Sequence, residues 1–194
     1  MTEANQKSAG SKVRRPLLAA ALAASAVVPA PALAAFDIFL KLDNIVGEVN
    51  QKGHEKWIEL FSYSSGFQGR TSKGDGASVG KSTCSPIAAA KAFDRASPPL
   101  ITAVMTGQRF QKGQIEFVKV GGEAAAGAFL KYELQDVIVS SVQDSGAEAG
   151  DSTPTEGIAL NASKMTISYY PQNADGKLGD PIVTSVNCSL PAVQ

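Results

Sequence analysis

Phe36-Asp37-Ile38-Phe39-Leu40-Lys41-Leu42 decides the fold, because apolar and polar side chains alternate along it. Ile38, Leu40 and Leu42 therefore share one face of an extended strand. Asp43-Asn44 and Gly47 supply turn chemistry directly afterwards. A second strand fits residues 56–63, where Trp57, Ile58, Leu60 and Phe61 sit among Glu59 and Ser62. Three longer strands follow at residues 108–120, 128–143 and 157–170, separated by Gly121-Gly122 and by the polar stretch 144–155. In the second of these, Val137, Val139 and Ser141 fall on one face and Ile138, Ser140 and Val142 on the other, so both sides are expected to be partly covered. Asn173-Ala174-Asp175-Gly176 reads as a hairpin turn into a final strand over residues 182–188.

One helix interrupts this pattern. Ser97 is expected to cap it, Pro98 fits its first turn, and Gly107 supplies a left-handed stop. Leu100, Ile101 and Val104 would form its buried stripe. Many strands with a single short flanking α-helix predict a mainly β domain, an antiparallel barrel or sandwich. Residues 62–85 carry too little apolar area for an ordinary packed element, with Gly66, Gly69, Arg70, Lys73, Asp75, Gly76 and Gly80 among serines. They read largely as a long loop. A loop of that length inside a compact domain is a candidate contact arm.

The first 34 residues of the 194 stand apart. Lys12, Arg14 and Arg15 precede the uncharged apolar run 17–28, then Pro29 and Pro31, then Ala32-Leu33-Ala34. That order predicts a cleavable export signal cut between Ala34 and Ala35. The apolar run is shorter than the roughly 20 residues a bilayer span needs, so no stable membrane span is expected. Arg14-Arg15-Pro16-Leu17-Leu18 partly matches a twin-arginine signal, which leaves that route and general secretion both open. The product would be periplasmic or secreted. Residues 35–194 suffice for one domain burying about 70% of its extended-chain surface. The leader removes four of the 18 basic and one of the 18 acidic side chains, which leaves a net charge of about −3. Such a surface argues against nucleic acid as a partner.

Catalytic chemistry is hard to assemble from this chain. Gly76-Ala77-Ser78-Val79-Gly80-Lys81-Ser82 ends like a phosphate-binding loop, but its glycine spacing is wrong and Pro86 stands where a helix should begin. His54 is the single histidine, which excludes a histidine-rich metal site; beside Lys52 and Glu55 it reads as a solvated turn residue. Glu55, Glu59, Asp94 and Glu116 read as surface charges, since nothing in the sequence couples or desolvates them. Asp94 interrupts the basic character of Lys91-Ala92-Phe93-Asp94-Arg95. Neither an enzyme nor a cofactor is expected. Cys84 and Cys188, the only cysteines, would pair in an oxidising compartment if the fold brings their Cα atoms within about 7 Å; otherwise they are small buried apolar residues.

The order of these features resembles the Hcp (haemolysin-coregulated protein) family of type VI secretion. Residues 36–45 with Gly47-Glu48 look like its opening strand and turn, and Ile58-Glu59-Leu60-Phe61-Ser62-Tyr63 with Gly66 like its second strand. The most specific block is Lys91-Ala92-Phe93-Asp94-Arg95-Ala96-Ser97-Pro98-Pro99-Leu100, similar to the family's D-x-A-S-P-x-L junction before the helix, which Thr106-Gly107 closes. Tyr132-Glu133-Leu134-Gln135-Asp136-Val137 and Glu156-Gly157-Ile158-Ala159-Leu160 continue the match.

The resemblance implies a β-barrel, hexameric rings joined edge to edge, and a loop carrying Gly66, Gly69, Arg70, Lys73, Gly76 and Gly80 that reaches toward the next ring. It implies no catalytic residues. The implied function is a structural tube subunit whose partners are further copies of itself and type VI spike, sheath or small effector proteins. Family members normally enter their apparatus from the cytoplasm without a cleaved leader. The leader and the cysteine pair therefore point to an alternative, a stand-alone periplasmic or secreted binding or surface module.

Overall fold

The structure, a computed structural model, describes residues 36–71, 79–120, 127–146 and 153–188. The expected leader with Ala34 and Ala35, as well as Lys73 and Gly76, lies outside these residues.

The opening stretch forms β1 (Phe36–Leu42), and its alternation separates two environments. Ile38, Leu40 and Leu42 enter the main core, while Phe39 is buried on the opposite face. Two-residue periodicity is responsible, since successive side chains leave a strand on opposite sides. β1 pairs antiparallel along its length with β7 (Arg109–Lys119), which pairs with β8 (Leu130–Ser145), which pairs with β9 (Thr155–Tyr169). β6 (Ile87–Ala92) continues the sheet beyond β9.

Residues 58–64 bring the two ends of this sheet together. β2 (Ile58–Leu60) pairs with β1, and β3 (Ser62–Ser64) pairs with β6. Between them the Phe61 N–H donates to the Ala90 carbonyl at 2.7 Å. One short extended segment thus serves both borders, and the result is a nearly closed antiparallel barrel. Near-complete burial of Leu40, Ile58, Ile115 and Leu134 contributes about 1.5–3 kcal/mol each.

The alternation along β8 breaks where the sequence shows no sign of it. Val139 pairs with Leu160 and Ser141 with Ala159, so Ser140 is an extra, bulged residue. The bulge returns Val142 to the core side with Val137 and Val139, which corrects its expected place beside Ile138. A second correction concerns residues 62–85, read as mostly loop. They contain β3, then an antiparallel ribbon of β4 (Phe67–Thr71) and β5 (Val79–Cys84) that forms its own sheet. Backbone hydrogen bonds, which composition does not register, build the ribbon.

Helix α1 (Ser97–Thr106) starts at its expected cap residue, one position earlier than expected. Ala96 takes the cap position without a side-chain hydrogen bond, and Ser97 lies inside the helix, fully buried. Pro98 occupies the first turn and Gly107 closes the helix with φ 64°. Leu100 and Ala103 are buried and Val104 packs on the core, whereas Ile101 faces outward. The helix lies against β8. The last strand, β10 (Ile182–Asn187), follows the expected turn at Asn173 to Gly176 and pairs with the second half of β9.

Candidate functional site

The β4–β5 ribbon is the candidate contact arm. Its root is fixed to the domain by the Ser85 N–H, which donates to the Gly66 carbonyl at 2.8 Å, and by Phe67 pairing with Cys84. Gly69 stands at a register shift between Gln68 and Arg70, and Arg70 pairs with Gly80 across the ribbon. Phe67 exposes about half of its surface. Cys84, at the end of β5, is joined to Cys188, with sulfurs 1.97 Å and Cα atoms 5.4 Å apart.

Two buried polar contacts, Lys91 with Glu156 and His54 with Glu116, flank the barrel, and both involve residues read as solvated. Lys91 is completely buried. Its Nζ lies 2.7 Å from Glu156 Oε2, 2.7 Å from Asp94 Oδ1, and 2.8 Å from both Ser97 Oγ and the Ala92 carbonyl. The Ser97 hydroxyl accepts the Asp94 N–H at 3.0 Å and donates to Glu156 Oε2 at 2.7 Å. The side chain expected to cap the helix instead sits at the centre of a charge cluster tying β6, β9 and the start of α1. Period two carried the signal: Ile87, Ala89 and Lys91 share one face of β6, and Glu156, Ile158 and Leu160 share one face of β9.

The second pair lies on the outer face. Phe39, Glu116 and Lys131 stand directly opposite one another across β1, β7 and β8. Residues 43–57 fold over this row and place His54 on it. The imidazole stacks on Phe39 with centroids 4.5 Å apart, meets Trp57 edge-on, and holds Glu116 Oε2 at 2.7 Å through Nε2. Glu116 also binds Lys131 at 2.9 Å and Gln114 at 2.7 Å. His54 and Glu116 are both buried, contrary to the reading as solvated charges, because the loop supplies the covering apolar residues Val49 and Trp57. Glu55 and Glu59 are exposed as expected.

Among the described residues no group of three or more His, Cys, Asp or Glu side chains could hold a metal ion. An open groove of about 680 Å³ crosses β1, β7 and β8, with Lys41, Lys112, Glu133 and Asp136 as well as Leu134 in its lining. Arg109 occupies the Asp136 carboxylate at 3.0 Å. Burial holds the Tyr63 hydroxyl above the ordinary tyrosine range, with Ser65 and Tyr132 beside it, and among the described residues that oxygen makes no well-formed hydrogen bond.

Residues 39–169 match the family model described as type VI secretion system effector, Hcp. The chain belongs to the Hcp family. Protein hcp1 of Pseudomonas aeruginosa is 32% identical over 151 residues, covering 76% of this chain and 92% of the relative. A solved structure described as a type six secretion system protein superposes with a TM-score of 0.73 at 33% identity, covering 79% of this chain and 96% of the other. Hcp1 from Salmonella typhimurium gives 0.65 at 26% identity, covering 80% and 95%. The stretch that matches the Hcp model contains the Lys91 cluster, the His54 pair and the ribbon; β10 and Cys188 lie beyond its end. No described helix is long and apolar enough to cross a membrane.

Proposed function

We propose that residues 35–194 assemble into a homohexameric ring that stacks into a type VI secretion tube, with residues 66–80 as the arm reaching the next ring. The observation that carries this reading is the ribbon itself. β4 and β5 pair only with each other among the described residues, and an isolated two-stranded ribbon is marginal in water. A neighbouring copy would supply the missing surface, and exposed Phe67 suits such a contact. The assembly works without catalysis, and its further partners are spike, sheath or small effector proteins.

Export through the leader would deliver the domain to the periplasm or beyond, where an oxidising environment favours the Cys84–Cys188 bridge. Light scattering over a concentration series tests the ring: a stable sixfold mass is expected, and a persistent monomer would overturn the tube and leave a stand-alone module. N-terminal sequencing of the exported protein is expected to begin at Ala35.

A further inference from the structure

β6 and β10 lie in file along one edge of β9. Ile87 to Ala92 pair with Leu160 to Thr155, and Ile182 to Asn187 pair with Tyr169 to Lys164. Both run antiparallel to β9 on the side away from β8, so they point the same way. Two strands about 90 residues apart in sequence therefore form one composite strand, broken only opposite Asn161 to Ser163. At that break the Cys188 N–H donates to the Ser163 carbonyl at 2.8 Å, and Cys188 is bonded to Cys84. The bridge fastens the trailing end of β10 to the chain entering β6, and so to the root of the ribbon.

Beyond the bridge, β10 is held by its ladder to β9 and by a hydroxyl hydrogen bond between Ser185 and Thr166 at 3.0 Å, with little burial of its side chains. Ile182 is 68% and Val183 55% exposed, and only Val186 and Cys188 of this segment pack on the core. A strand with so few buried contacts sits at the low end of local opening energies. Its ladder to β9 is free to fray from Ile182, but the bridged end is fixed. If β10 left, the Lys164 to Tyr169 edge of β9 would be bare, with unpaired N–H and C=O groups that invite pairing with another chain.

We propose that the Cys84–Cys188 bridge is a redox latch on this seam: the reduced chain keeps the barrel but releases β10 and loosens the ribbon root, and oxidation closes both. Closure proceeds by thiol–disulfide exchange with a disulfide oxidant such as an oxidoreductase or oxidised glutathione. One cysteine thiolate attacks the oxidant's disulfide, forming a mixed disulfide and expelling a thiolate. The second thiolate attacks the protein sulfur of that mixed disulfide and expels the other. The two thiols lose two protons and two electrons, and the oxidant gains them as two thiols.

The latch does not depend on ring formation. Hydrogen exchange by mass spectrometry on the full chain, with and without dithiothreitol, tests it. Reduction is expected to speed exchange in residues 182–188 and 164–169 by at least about tenfold, with β1 and β7 unchanged. Unchanged β10 exchange would overturn the proposal, as would an equal acceleration in β1 and β7, which would mean global loosening. The comparison uses one wild-type protein in two redox states, so it does not depend on Cys188→Ser folding. Thiol titration of denatured, unreduced exported protein provides a second arm, and two free thiols per chain would also overturn the latch. Light scattering on the same samples separates the readings, because a monomer in both redox states would remove the tube and leave the latch standing.

Discussion

The Lys91 cluster and the His54–Glu116 contact are both buried polar contacts, but they do different work. Lys91 is wholly enclosed, with four oxygens within 2.8 Å of its ammonium, and its partners come from β6, β9 and the start of α1. Removing one member leaves a charge with nowhere to go. His54 is a side chain of a covering loop, and its carboxylate partner keeps two other donors, Lys131 and Gln114. The inner cluster thus fixes how three elements meet, whereas the outer pair pins a flap to a finished sheet.

The largest effect that this contrast predicts is for Lys91→Ala, which strands Glu156 without its cation. A loss of about 3–5 kcal/mol is expected in denaturant unfolding. Replacing both partners, as in Lys91→Met with Glu156→Met, should recover at least half of that loss. If the double variant is no better than the single, the cluster is not a simple charge pair.

The outer region should be more sensitive to backbone than to charge. A Cβ at Gly47 would lie 2.1 Å from the Trp57 carbonyl oxygen, so Gly47→Ala forces the flap off the sheet. It should cost about 2–3 kcal/mol and raise Trp57 fluorescence exposure. His54→Ala should cost less, about 1–2 kcal/mol, because Glu116 retains its other donors. A larger loss for His54→Ala than for Gly47→Ala would reverse this ranking.

The smallest effect belongs to Tyr63, whose buried hydroxyl makes no well-formed hydrogen bond among the described residues. Tyr63→Phe should change stability by less than about 1 kcal/mol at neutral pH. Its signature lies in alkali. The folded state holds the phenolic proton more tightly than the unfolded chain, whose tyrosine ionises near pH 10. The stabilisation is complete below that pH and falls as pH rises above it. Tyr63→Phe should flatten this decline in unfolding curves taken from about pH 9 upward.

Much of the architecture was legible because the strands keep period two. β1 and the three long strands follow directly from apolar alternation, and the helix from Pro98 and Gly107. The buried charges were harder, because residue type argues for solvent while strand parity argues for burial. For Lys91 and Glu156 parity was right. His54 and Glu116 were less accessible to such reading, since they become buried only when a loop folds over the sheet, a tertiary event with no local signature. Ser97 looked like a cap by residue type, but the Lys91–Glu156 pair competes for its hydroxyl and wins. The ribbon has no mark in composition, because glycine and serine are compatible both with a loop and with a strand held by its backbone alone.

Residues 58–64 have a kinetic consequence. Their two half-ladders border β1 and β6, so the barrel is closed only when both have formed. If closure is the last step, its contacts are absent from the folding transition state, and weakening these seven residues leaves the folding rate almost untouched while it shortens the lifetime of the folded barrel.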